Sequence, residues 1–104
     1  MYVVKENGKW KIISKDGTTN TEISYDDVTY INSNCMIIKN KDKYGISGID
    51  KTEKVKAEYQ NLEYVFSDYY IAKKDNKYGV INSQNEALVP IEYDALFSIK
   101  MQIV

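Results

Sequence analysis

Short apolar runs broken by polar tips return along this chain at a fixed interval of 34 residues. Each period opens on an apolar segment: Tyr2-Val3-Val4-Lys5, then Met36-Ile37-Ile38-Lys39, then Tyr70-Ile71-Ala72-Lys73. A second run carrying one aromatic follows at 9–13, 43–46 and 77–81. Runs of this length, rich in β-branched and aromatic residues, predict strands. Between the first two runs stands Asn7-Gly8, a strong signal for a two-residue type I′ hairpin turn. A polar loop, Lys15-Asp16-Gly17 in the first period, leads to a third extended stretch such as Ala87-Leu88-Val89-Pro90-Ile91. The segments at 25–28, 59–62 and 93–96 then predict a tight turn into a fourth strand.

The columns agree in character across the three periods. Trp10, Tyr44 and Tyr78 form one aromatic column, and Tyr25, Tyr59 and Tyr93 another. Val3, Ile37 and Ile71 share an aliphatic column, as do Val4, Ile38 and Ala72, and also Val28, Leu62 and Leu96. Lys5, Lys39 and Lys73 are identical, and so are Lys9, Lys43 and Lys77. Such coincidence in one register marks an internal repeat. The copies are taken as 1–34, 35–68 and 69–104, forming one cooperative domain.

A two-residue turn fixes hairpin register. Glu6 then faces Lys9, Lys5 faces Trp10, Val4 faces Lys11 and Val3 faces Ile12. The same count sets Lys39 against Tyr44 and Lys73 against Tyr78, so each ring has a lysine stem across from it. Gly45 and Gly79 fall on the opposite face, where a missing side chain admits something close. Lys11 holds that column in the first copy, which predicts that a neighbouring copy approaches only the inner two.

Composition removes most chemistry. All 14 basic residues are lysine, and histidine and arginine are absent. The chain therefore lacks the commonest general base, the commonest metal ligand and the bidentate phosphate clamp. A net charge of −1 with interspersed signs gives no footprint for nucleic acid. No run approaches a membrane span, no signal-peptide pattern opens the chain, and the compartment stays open. The lone Cys35 cannot make an internal disulfide, and without histidine it has no activating base. Asp26-Asp27 and Asp94 lack the spacing of a glycosidase pair or a calcium loop; after a tyrosine they suit turns through side-chain-to-backbone bonds. An aromatic recurring once per repeat is a plug between units before it is a saccharide platform. The lysine columns suit solvated strand edges, where charge also discourages edge-to-edge aggregation.

Asn7-Gly8-Lys9-Trp10, Lys43-Tyr44-Gly45, Lys77-Tyr78-Gly79, Lys15-Asp16-Gly17 and Pro90-Ile91-Glu92-Tyr93-Asp94 resemble the bacterial WG-repeat family. The resemblance implies an all-β array of hairpins and an interaction role without established chemistry. Three departures stand out: Lys11 replaces glycine, only one copy keeps the proline, and the second copy is read as gaining two residues after Gly45 and losing two before Tyr59.

The expected fold is thus an all-β tandem array of three antiparallel hairpin repeats, elongated or superhelical, with a closed propeller as the runner-up. The expected function is a non-enzymatic bacterial module for protein interaction or structural scaffolding. A carbohydrate or cell-wall binder comes second and a hydrolase last. Catalytic, cofactor and metal sites are expected to be absent, with Trp10, Tyr44, Gly45, Tyr78, Gly79, Tyr25, Tyr59 and Tyr93 serving as structural repeat positions. The partner is an unidentified protein, without nucleic acid or membrane insertion. Residues 97–104 are expected to run on as an edge strand, and Met1 to Lys5 to form the matching free edge, which opens self-association through terminal edge strands.

Overall fold

The computed structural model describes residues 2–13, 16–17, 20–23 (by backbone alone), 25–32, 34–49 and 52–97. The protein is all-β, with eleven strands among the described residues and no helix. In chain order they are β1 (Tyr2–Glu6), β2 (Lys9–Ile13), β3 (Asn20–Ile23), β4 (Asp27–Tyr30), β5 (Cys35–Asn40) and β6 (Lys43–Gly48). There follow β7 (Glu53–Tyr59), β8 (Asn61–Phe66), β9 (Tyr69–Lys74), β10 (Lys77–Ile81) and β11 (Ala87–Tyr93).

The strands make three antiparallel meander sheets: β1-β2-β3, then β4-β5-β6-β7, then β8-β9-β10-β11. The sheets are offset from the 34-residue copies. The last strand of one copy crosses over and pairs with the first strand of the next, β4 with β5 and β8 with β9. A single residue, Gln60, separates β7 of the second sheet from β8 of the third. Copies are therefore interlocked rather than merely stacked.

The hairpin registers are those expected. Lys5 pairs with Trp10, Lys39 with Tyr44 and Lys73 with Tyr78. All three turns have two residues with positive φ: Asn7 and Gly8, Lys41 and Asp42, Asp75 and Asn76. That is the type I′ geometry whose twist matches the flanking strands. Ser67-Asp68 turns β8 into β9, and the Asn32 side chain accepts bonds from the amides of Asn34 and Cys35 before β5.

The expected insertion and deletion in the second copy are absent. Gly48 N–H donates to Thr52 O at 2.8 Å, and 34 residues on Asn82 N–H donates to Glu86 O at 3.1 Å. Ser47 pairs with Glu53 just as Ile81 pairs with Ala87. The two loops therefore share one length.

Two apolar clusters lie between the sheets. Ile12, Val3 and Trp10 of the first sheet meet Val28, Met36 and Ile38 of the second. The other face of the second sheet, with Cys35, Ile37, Ile46 and Val55, meets Leu62, Tyr70, Ala72 and Ile81 of the third. Each wholly buried side chain contributes about 1.5–3 kcal/mol. Period-two alternation puts successive residues of β5 into different clusters, so this central strand is apolar on both faces.

In the third copy the fourth strand does not form among the described residues. Residues 94–97 carry no strand pairing, and 98–104, where most of the expected terminal edge falls, lie outside the described residues. At the other end β1 is an edge of its sheet, as expected, although Met1 is outside the described residues.

Candidate functional site

The aromatic column sits where the sequence placed it. Lysine ammonium groups lie over the rings of Trp10, Tyr44 and Tyr78 at 5.6, 5.7 and 5.4 Å from their centroids. All three rings are half-buried. Trp10 packs on the first inter-sheet cluster and Tyr44 on the second. The rings of Trp10 and Tyr44 thus lie between a lysine and the next sheet, whereas Tyr78 has the lysine alone.

The glycine column does admit something close, but not a neighbouring copy. A Cβ on Gly45 would stand 2.5 Å from Val55 O and 2.8 Å from Ala57 N. One on Gly79 would stand 2.6 Å from Val89 O and 2.7 Å from Ile91 Cα. These atoms belong to the last strand of the same sheet, β7 beside Gly45 and β11 beside Gly79. There the register shifts: Tyr44 pairs with Tyr59 and Ile46 with Val55, leaving extra residues of β7 bulged over Gly45. The β10–β11 pair repeats it with Tyr78–Tyr93 and Val80–Val89. In the first sheet Lys11 carries a Cβ and β3 runs in unbroken register, Trp10 with Ile23 and Lys11 with Glu22. Glycine and bulge go together, because only glycine leaves room for the bulged backbone.

The second tyrosine column joins sheets. Tyr59 is 3% exposed, and its hydroxyl donates to Oδ1 of Asn85 in the loop between β10 and β11. Asn85 holds a left-handed φ of 61°, as Gly17 of the same column does at 75°. A Gly and an Asn in one column were the available signal for that backbone position, and it was missed. Tyr25 is half-buried in the first cluster. Tyr93 is 46% exposed.

The residues after Tyr25 and Tyr59 also bond to backbone, though not within their own turn. Asp26 Oδ2 accepts from Lys41 N–H at 2.8 Å and Gln60 Oε1 from Asn76 N–H at 2.6 Å. Each corner thereby clamps the tip of the following hairpin. Asp94 instead forms an exposed ion pair with Lys77.

The open surface of the molecule is the outer face of the third sheet. It corresponds to the face of the second sheet that the third sheet covers. Ile46 is fully buried and its counterpart Val80 half-buried; Val55 is buried and Val89 half-buried. A cavity of about 270 Å³ opens there among Asn61, Glu63, Ile71, Lys73, Tyr78 and Leu96. No group of three or more carboxylate or thiol side chains among the described residues is arranged to hold a metal ion. No helix of the structure is long and apolar enough to cross a membrane.

Residues 78–100 match the family model of the WG containing repeat. The match takes in the Tyr78-Gly79 step, the bulged β11 and the Tyr93-Asp94 corner, and with them the glycine-and-bulge device. No curated protein and no solved structure matches the chain. The WG containing repeat therefore accounts for the third sheet's last two strands, and the recurrence of their pairing 34 residues earlier rests on the registers themselves.

Proposed function

We propose that the chain is a non-enzymatic repeat module of bacterial type that binds protein through the outer face of its third sheet. The observation that supports this most directly is the pair Val80 and Tyr93. Both stand on an apolar face built like one that, one sheet earlier, is buried against another sheet. Such a face fits a partner that presents a β-sheet surface of its own. The saccharide reading is weaker, because a sugar platform needs free ring faces and these rings lie under lysine stems.

A photo-crosslinking residue at Val80, with one at the exposed Lys54 as control, tests the reading in cells that express the protein. Protein adducts at position 80 that disappear with Tyr69→Glu are expected. Glycan-array binding abolished by Tyr78→Ala, without such adducts, would overturn it.

A further inference from the structure

The three hairpin tips share type I′ geometry but not chemistry. The first is Asn7-Gly8, the second Lys41-Asp42 and the third Asp75-Asn76. Asn7 is the only asparagine of the chain that glycine follows. Asn76 is followed by Lys77 and is held twice by Gln60. Its main-chain N–H donates to Gln60 Oε1 at 2.6 Å, and its Oδ1 accepts from Gln60 Nε2 at 3.2 Å. Asp26 likewise holds the main-chain N–H of Lys41. Among the described residues neither Asn7 nor Gly8 has such a clamp. Both are exposed, and a Cβ added at Gly8 would meet nothing within 4 Å, so nothing in the fold crowds the Gly8 main chain.

We propose that Asn7 is a self-modifying site, whose side chain cyclises on the Gly8 amide and leaves an isoaspartate at the tip of the first hairpin. The Gly8 nitrogen gives its proton to water and bonds to Asn7 Cγ. The carboxamide C–N bond breaks, and its nitrogen leaves as ammonia with a proton taken from water. Water then opens the imide. Attack at the former main-chain carbonyl leaves the chain running through the Asn7 side-chain methylene, which is isoaspartate; attack at Cγ leaves aspartate. No oxidant, reductant or cofactor is consumed. The planar imide turns ψ of Asn7 away from the left-handed turn that the folded tip holds (φ 53°), so ring closure waits for the tip to open. That opening is local, since β1 is an edge strand joined to β2 alone. Asp16-Gly17 is the internal comparison: its glycine is also left-handed, but a carboxylate replaces the carboxamide and is a poorer acceptor of the nucleophile. Isoaspartate adds a main-chain carbon to a turn whose two-residue length fixes the register of β1 on β2. Trp10 pairs with Lys5 in that register and packs on the first inter-sheet cluster, so the modification loosens its seat. The new α-carboxylate also suits one class of partner, a carboxyl methyltransferase that reads isoaspartate and takes its methyl group from S-adenosylmethionine.

The test keeps the folded full chain in neutral buffer over weeks and maps digested samples by mass spectrometry. Labelled methyl transfer by an isoaspartate-specific carboxyl methyltransferase marks the β-linked product. Conversion is expected at Asn7 at least about tenfold faster than at any other asparagine, a barrier lower by about 1.4 kcal/mol. Emission of Trp10, the only tryptophan, should move to the red in step with it. Its indole N–H is buried without a hydrogen-bond partner and meets water when the hairpin loosens. Asn7→Gly should keep the turn, because glycine accepts the left-handed position, and should lose both the methyl uptake and the red shift. An Asn7 that stays intact, or that converts no faster than Asn76 or Asp16, overturns the proposal, as does undiminished methyl uptake in Asn7→Gly. Conversion at Asn7 with the emission unmoved overturns its coupling to the first hairpin.

Discussion

Tyr59 and Asn85 are joined across two sheets: the tyrosine closes β7 and its hydroxyl bonds to the loop that precedes β11. The bond spans 26 residues of chain and ties the end of the second sheet to a loop of the third. Removing the hydroxyl alone, in Tyr59→Phe, should cost about 1 kcal/mol, the net worth of one such bond. Tyr59→Ala should cost about 3–5 kcal/mol, as for truncation of a buried aromatic. Tyr93→Ala, at an exposed site, should cost well under half of that. Denaturant melts of the three variants decide the matter, and equal losses at 59 and 93 would remove the case that this tyrosine column works by linking sheets.

Lys11 should accept glycine, whereas Gly45 and Gly79 should not accept lysine. At Gly79 even a single Cβ meets backbone atoms at 2.6 and 2.7 Å, so β11 would have to lose its bulge or leave the sheet. Overpacking of this kind costs about 1–3 kcal/mol, and here the obstacle is main chain rather than a side chain able to turn away. Thermal unfolding of Gly79→Lys beside Lys11→Gly gives the comparison. An unchanged melting temperature for Gly79→Lys would show that the bulge is dispensable.

The registers of the three hairpins were legible because a turn of two residues leaves no freedom in pairing, and the lysine-over-ring contacts followed from them. What lay over the glycines was not legible. A bulge depends on how many residues the third strand holds against the second, and that count is set by the loop and the corner together. The sheet offset was hidden for a similar reason. Nothing local in Tyr59-Gln60-Asn61 distinguishes a turn back into the same sheet from a single-residue crossing into the next. The open face could be inferred only once the columns of Val80 and Tyr93 were seen to be covered elsewhere.

Lys41 occupies the first position of a type I′ turn with φ of 51°, where Asn7 stands in the first hairpin. A left-handed conformation costs an ordinary residue roughly 1–2 kcal/mol, and asparagine less. Asp26 holds the strained tip by accepting the Lys41 amide. Lys41→Asn should therefore stabilise the protein by about 0.5–1 kcal/mol, while Asp26→Ala should destabilise it by about 1 kcal/mol. Chemical denaturation midpoints measure both. Were Lys41→Asn to lower the midpoint, strain at this tip would not be a term in the stability of the sheet.

Tyr70 is wholly buried, and its hydroxyl has no hydrogen-bond partner. Burial raises its pKa above the usual 10.0, and the neighbouring Cys35 thiol adds to the effect without making a well-formed bond to it. Burial, followed by the charge of Glu58, raises Tyr59 in the same direction. A phenol whose folded pKa lies above its unfolded value holds its proton more tightly in the folded state. The associated stability is complete below about pH 10 and is lost as pH climbs from there toward the folded pKa. Tyr70→Phe should accordingly do two things. At neutral pH it should raise stability by about 1 kcal/mol, because an unsatisfied buried hydroxyl is removed at little cost in shape. Above pH 10 it should leave a shallower decline, with the remainder due to Tyr59. Met36, in the same column of the second sheet, shows that an apolar side chain fits this environment. Unfolding followed from pH 7 to 11 in the parent chain and in Tyr70→Phe gives both readings at once. A variant less stable at pH 7, with an alkaline slope unchanged, would mean that the Tyr70 hydroxyl has a partner in solution and is not an orphan of the core.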